Sequence, residues 1–409
     1  MIQIVNTLET IHESALLSAA MFVAFFGFLL IFSEVIQKID IFRQSTTVSS
    51  DRYGSLDGLR GILAFGVVTH HALTAYIYFT TGAWDWSRNP VLNHLGQTTV
   101  AIFFMITGFL FTEKCTARSL NWRSLYISRI ARLAPLYSIV VVIVFAAVLA
   151  LSDFTLRVPP AELLKQFVQW LAFVCLGRPD INGMAMSWTL IAGVNWSLKF
   201  EWAFYLFGVP LLFAVSRVLS RESMFVGSLG LLAAAIVLVG IRGELDGTPL
   251  YMLHFLCGIT SAFIYENKLG RSMISSRIFH LLAASSAILL GFVPNSHNAL
   301  ALVVALLIFL ASIGGLSIFG ILKRPSAVWL GDISYGVYLI HGLILYATLY
   351  ALKEHGLLPY FGSPLFIGIL PTIGAVVTIL ASLSYVYIEK PMIALGRSLA
   401  KRKTVGAQP

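Results

Sequence analysis

Arg60 and His71 are two of the four ionisable residues inside a single apolar run, SLDGLRGILAFGVVTHHALTAY. Ionisable groups within a membrane-spanning helix are costly, so each is a functional candidate by default. Their spacing of 11 residues is three helical turns plus about 20°, which puts both on one face, about 16.5 Å apart along the axis. A buried imidazole with no anionic partner is neutral at pH 7 and can accept a proton. A guanidinium on the same face can hold a substrate or stabilise developing negative charge. Asp57, three residues before Arg60, is placed to orient it. His70 points about 80° away and is at most a supporting group. The plainer alternative has Arg60 snorkelling to lipid phosphate and His71 bonded to a neighbouring helix.

Three further segments carry candidates. In SRIARLAPLY, Arg129 and Arg132 stand at i, i+3, at the start of a helix that Pro135 is expected to help initiate. Paired guanidinium groups can grip a phosphate, or they can be ordinary anchors on the cytoplasmic side. In NWSLKFEWAFYL, Glu201 is expected just inside the outer boundary, with Lys199 on the wrong face to pair with it. Such a carboxylate needs a partner or a task, unless it simply faces interfacial water. In WLGDISYGVYLIHGLIL, Ser334, Tyr338 and His341 form one polar stripe. That stripe reads first as interhelical hydrogen bonding that holds a bundle together, with Tyr338 and His341 as supporting candidates. Glu389, at the end of SYVYIEKP, reads as structural.

The elements that must position these groups are membrane helices. Of the 409 residues 58% are hydrophobic and only 11% charged, less than half the charge of a soluble domain. Apolar runs long enough to span recur at 15–34, 57–80, 96–112, 134–151, 197–216, 223–241, 249–265, 278–293, 299–321, 327–351 and 364–388. The expectation is an all-α, polytopic bundle of about eleven spans. The first run lacks a basic flank and a small-residue cleavage pattern, so it reads as a retained helix. The stretch 161–176 is short and carries Glu162, Lys165, Gln166 and Gln169, so it is expected to lie at or dip into the outer face.

Loop charge sets the orientation. With eleven spans, most of the 28 Lys and Arg fall on one side, with Arg88, Arg157, Lys165, Arg178, Lys199, Arg242 and Lys353 as the exceptions. This predicts the N-terminus outside and the C-terminus inside. The same asymmetry accounts for the net charge of +9 without invoking nucleic acid. Cys115, Cys175 and Cys257 are far apart and suggest neither disulfide framework nor metal site, and no metal is expected. Trp84, Trp86, Trp170, Trp188, Trp196 and Trp202 are expected on the outer side, mostly as an aromatic belt, with some available to stack on sugar rings.

Taken in order, these segments resemble the membrane acyltransferase-3 family, which includes O-antigen acetylases and nodulation-factor acetyltransferases. SLDGLRG…HH is similar to its opening Arg-x10-His motif and RIARLAPLY to its RxxR…P segment. NWSLKFEWAFYL is similar to WSL..E..FY, LGDISYGVYLIH to SY..YL.H, and SYVYIEKP to the closing E-x-P. VAIFFMITGFLF resembles FF…SGF, with Thr107 in place of Ser; LGQTTVAIFF keeps Gly96, Val100, Phe103 and Phe104 of the segment before it but has Gln97.

The resemblance covers about residues 54–392 and implies a ten-helix acyltransferase core. Residues 1–53 would then be an extra N-terminal helix with a polar linker, and 393–409 a basic cytoplasmic tail. It implies an acyl-coenzyme A donor, usually acetyl-CoA, a carbohydrate or glycan hydroxyl as acceptor, and residence in the lipid bilayer of a bacterial cytoplasmic (inner) membrane. Arg60 and His71 look like the catalytic pair, Arg129 and Arg132 like coenzyme contacts, and Glu201 like a further site residue, facing an acceptor that enters from outside past the 153–196 loop. Direct transfer with His71 as base and a covalent acyl-His intermediate both remain open. Two other classes would also be polytopic with buried charges: a glycan or lipid transporter, for which inverted repeats are expected, and a non-catalytic assembly subunit, which would tolerate loss of Arg60 and His71.

Overall fold

A computed structural model of the protein describes residues 15–43, 54–85, 87, 89–117, 120–360 and 363–401. Trp86, Arg88, Arg118, Arg402 and Lys403, residues 44–53 of the expected linker and the end of the expected tail lie outside the described residues. Every regular element among the described residues is helical. Nine helices are long and apolar enough to cross a membrane, or ten if Lys268–Ile274 and Arg277–Phe292, bent by 57°, form one span. A shorter apolar helix, Ala299–Ile313, occupies the ninth expected run.

Three boundaries differ from expectation. The run expected at 134–151 is part of a helix Trp122–Leu151, started by Asn121, whose side chain accepts from the Ser124 amide at 2.9 Å. Pro135 therefore lies inside the helix and does not initiate it, and Arg129 and Arg132 sit well within it. Membrane helices tolerate such a proline because neighbouring groups re-satisfy the backbone it frees. The run expected at 299–321 stops at Ile313, because Gly315, Ile318, Phe319 and Gly320 all take positive φ. The run expected at 327–351 is divided at Ile333 into Pro325–Asp332 and Ser334–Glu354.

The helix Gly54–Thr81 packs against Pro90–Thr116, Pro325–Asp332 and Ser334–Glu354. Its approach to Pro325–Asp332 is backbone to backbone: a Cβ on Gly331 would overlap the Asp57 carbonyl, and one on Gly61 would lie 2.9 Å from Leu330 Cβ. Pro90–Thr116 and Gly247–Glu266 meet in the same way, where a Cβ on Gly108 or Gly258 would overlap the carbonyl of Phe255 or Met105. Small residues permit this approach where packing rather than water exclusion drives helix association.

The stretch expected as a short surface helix is Pro160–Leu171, with 12 residues too short to span. The chain that follows, 172–195, is largely irregular but enters the protein: Ile181, Asn182, Leu190, Ile191 and Asn195 are buried. Irregular backbone at such depth is tolerated where protein covers it. Trp170, expected in an outer belt, is fully buried and donates to Pro179 O at 3.0 Å, and Trp202 is buried as well. Both belong to the core, because this inserted segment and its neighbours pack over them.

Candidate functional site

Two adjoining cavities occupy the interior. One, of about 300 Å³, is lined by Arg60, Arg129, Arg132, Asp57 and Glu201. The other, of about 280 Å³, is lined by His70 and His71. Val100 and Phe104 line both and form the partition between them. Phe104 is held there by Phe255, Tyr251 and Trp196, with ring centroids at 4.8, 6.0 and 6.4 Å. Arg60 and His71 thus share a helix face as their spacing requires, but each opens into its own chamber.

In the arginine cavity, Arg60 donates to Ser334 Oγ at 3.0 Å and stands 3.7 Å from the Asp57 carboxylate. Asp57 orients Arg60, as the spacing suggests. Arg129 and Arg132 arrive from Trp122–Leu151, one turn apart. Arg129 lies over the rings of Phe111 and Tyr205, at 5.5 and 5.9 Å, and its buried Nε has no hydrogen-bond partner. Glu201 accepts a hydrogen bond from Tyr205. Glu201 lies beside the arginines and does not line the histidine cavity; its helix, Trp196–Ala203, follows directly on the inserted segment 172–195. Tyr205 belongs to a π-helical turn, Phe204–Gly208, a feature with no signature in the residue pattern. Three guanidinium groups face two carboxylates across the lining, so the cavity holds an excess positive charge and an unsatisfied donor, which suits an anionic ligand.

In the histidine cavity, the ring of His71 stacks on that of His341, with centroids 5.2 Å apart and planes at 13°. His71 Nδ1 and His341 Nε2 are 2.9 Å apart, and His341 Nδ1 lies 2.9 Å from Val337 O. A carbonyl can only accept, so Val337 fixes the proton of His341 on Nδ1. In a pair of neutral rings His341 Nε2 is then an acceptor and His71 donates from Nδ1. His71 Nε2 remains as the ring's basic nitrogen.

His70 directs Nδ1 to Leu92 O at 2.9 Å and is held by the backbone. Tyr338 pairs with Ser197 Oγ at 2.8 Å and donates to Val194 O at 3.0 Å. The stripe of Ser334, Tyr338 and His341 does join neighbouring elements, but two of its four bonds to other elements end on Arg60 and His71. Glu389, at the end of a second π-helical turn, is buried and accepts from Ser384 Oγ at 3.1 Å.

Gln97, singled out by its departure from the family segment, and Arg178 also line the histidine cavity, though nothing in the sequence joins them to His71. Gln97 accepts from the Ser296 amide and hydroxyl at 3.0 and 2.9 Å, and Arg178 lies over the Trp188 ring at 4.6 Å. They come from separate elements, each a single polar residue. His254 lines it too, and a buried histidine within an apolar helix is detectable as a costly group. Among the described residues no group of three or more His, Cys, Asp or Glu is placed to hold a metal ion.

Comparison with known proteins places this arrangement. Residues 53–386 match the family model described as "Acyltransferase domain". The chain is 24% identical over 382 residues to a Bacillus subtilis (strain 168) protein named "Putative peptidoglycan O-acetyltransferase YrhL", covering 85% of this chain and 56% of that one. It is 27% identical over 368 residues to a Staphylococcus aureus (strain COL) protein named "Putative O-acetyltransferase SACOL0978", covering 82% and 56%. It is 25% identical over 322 residues to the "Exopolysaccharide production protein ExoZ" of Rhizobium meliloti (strain 1021), covering 76% and 93%. The chain thus spans a little over half the length of the first two relatives. No solved structure matches.

Proposed function

This chain belongs to the acyltransferase-3 family, and from that premise we propose that it is an integral membrane O-acyltransferase acting on a carbohydrate hydroxyl. The donor is acyl-coenzyme A, with acetyl as the group transferred. Its phosphates dock on Arg129 and Arg132, and its acyl end reaches past Arg60 and the Val100–Phe104 partition to His71. The length of the path fits an elongated donor, since Arg60 and His71 are about 16.5 Å apart along their helix.

At the reacting centre, His71 Nε2 takes the proton of the acceptor hydroxyl while that oxygen attacks the thioester carbonyl. The new carbon–oxygen bond replaces the carbon–sulfur bond. The departing thiolate receives the proton that His71 carried, so the base is restored and free coenzyme A leaves. His341 holds the imidazole in the competent tautomer. Arg60, kept in place by Asp57 and Ser334, steadies the donor. Glu201, through Tyr205, orders the arginine cluster. The relatives' printed names, which concern O-acetylation and exopolysaccharide production, support an acceptor of the carbohydrate class.

The topology that goes with this reading has eleven spans in a bacterial cytoplasmic membrane. The arginine cavity opens to the cytosol, the N-terminus is outside and the C-terminus inside. Residues 54–392 form the catalytic unit, preceded by an extra N-terminal helix and followed by a basic tail.

The observation that carries the proposal is the bond chain Val337 O–His341–His71, which presents one basic nitrogen at a cavity adjoining an arginine-lined one. Purified protein given labelled acetyl-CoA and carbohydrate acceptor tests it. His71→Ala is expected to lower transfer by about 10²- to 10⁴-fold, with membrane insertion and coenzyme A binding retained. Arg129→Gln with Arg132→Gln is expected to weaken coenzyme A binding. Unimpaired acetylation by the His71 variant rejects the scheme.

A further inference from the structure

We propose that the histidine cavity is the acceptor site and that it selects a sugar carrying a negative charge, a carboxylate or a phosphate. Only the word sugar rests on the acyl-transfer reading; the charge preference rests on the walls of the cavity.

Those walls differ from the arginine cavity in one respect that matters for recognition. Among the described residues that line it, Arg178 is the only Lys, Arg, Asp or Glu. Arg178 stacks on Trp188 at 4.6 Å and donates to Gly193 O at 3.3 Å. It has no carboxylate within 4 Å; Asp180, two residues on, acts on it electrostatically without an ion pair at that distance. One bond to a carbonyl leaves most of the five N–H donors of the guanidinium for another partner. Asp246, which does not line the cavity, lies 2.5 Å from the lining residue His297.

The remaining lining suits a pyranose. Trp84 and Trp188 meet edge to face at 5.4 Å, and Trp196 lies 4.8 Å from Tyr251, which gives aromatic surface for the apolar faces of sugar rings. Gln97 and Ser296 supply neutral polar groups at one end. His254 lines the cavity too, and its buried Nδ1 has no partner. An acceptor with its hydroxyl at His71 and its anionic group at Arg178 would make a charge-assisted pair with a pre-stacked guanidinium. A neutral sugar would offer that guanidinium no charged ligand.

Equilibrium dialysis of the full-length protein in detergent, without donor, reads this directly. The probes are labelled glucose oligosaccharides, matched oligosaccharides in which alternate units are glucuronic acid, and the glucose series bearing phosphate monoesters. The expected result is binding of one or both charged series about ten- to a hundredfold more tightly than the neutral one, the usual range for a hydrogen bond to a charged group. The series that binds identifies the anion. Arg178→Gln is expected to remove the difference without weakening the neutral series, and Arg178→Lys, which keeps the charge, to restore part of it. Equal binding of charged and neutral series, no binding of any, or an unchanged preference in Arg178→Gln overturns the inference. Charge-selective binding with no acetyl transfer to any of the sugars instead overturns the acyltransferase reading and leaves the charge selection standing.

Discussion

At the scale of single residues, an imidazole is useful as a base only if the correct nitrogen holds the lone pair, and nothing on His71 itself decides that. The decision is made by His341, whose own tautomer is set by Val337 O at 2.9 Å. His341→Leu leaves His71 Nδ1 without its acceptor and is expected to lower kcat by about a hundredfold, within the range for losing general-base function. His341→Gln offers an amide oxygen near the position of Nε2 and is expected to recover most of that loss with KM unchanged. Steady-state kinetics of the two variants separates a positioning role from simple packing, since a packing role predicts equal effects. Much of this was legible beforehand. The 11-residue spacing of Arg60 and His71 dictates a common face, and Asp57 at i−3 dictates a salt bridge. The partner of His71 was not legible, because it stands 270 residues away on another helix. The grouping of Glu201 with the arginines was not legible for a related reason: it depends on where an irregular segment leads the chain, and apolar run length carries no such information.

At the scale of elements, the site depends on two helix pairs whose backbones touch. Gly258 packs on the Met105 carbonyl and Gly108 on that of Phe255, so Pro90–Thr116 and Gly247–Glu266 hold Phe104 and His254 at fixed separation. Gly258→Ala puts a methyl group where no space exists, and overpacking of this kind costs about 1–3 kcal/mol. A lower thermal midpoint is expected for Gly258→Ala. Gly227→Ala, where nothing lies within 4 Å, is expected to leave the midpoint unchanged or raise it, because alanine is the better helix former by about 1 kcal/mol. Equal midpoints for the two variants would mean that the contact carries no weight. Helix existence followed from apolar runs, and a helix occupies at least part of every expected run. The ends did not follow. Pro135 was read as a start signal, but the Asn121 cap lies 14 residues earlier, and polar helical turns that continue an apolar run are indistinguishable from loop by hydropathy alone. The π-turns at Phe204–Gly208 and Tyr385–Glu389 place Tyr205 and Glu389 near the arginines, and an extra residue per turn leaves no mark on composition.

At the scale of the whole molecule, the proposed orientation rests on the uneven distribution of Lys and Arg between the two sides of the bundle. Cys175 is exposed in the segment 172–195, whereas Cys115 and Cys257 are buried. A membrane-impermeant maleimide is therefore expected to label Cys175 in intact spheroplasts; labelling that requires permeabilised cells would invert the proposed orientation. The partition of Val100 and Phe104 has a consequence at this scale too. An activated thioester still in the arginine cavity, before its acyl end passes the partition to His71, is shielded from whatever water enters the histidine cavity with the sugar. Trimming the larger of them, Phe104→Ala, would breach the bulkhead. Donor would then be spent faster than ester is made, and the stoichiometry of coenzyme A released to acetyl groups fixed would climb above unity. The same ratio measured in the unaltered protein gauges how well two ordinary hydrophobic residues prevent futile turnover.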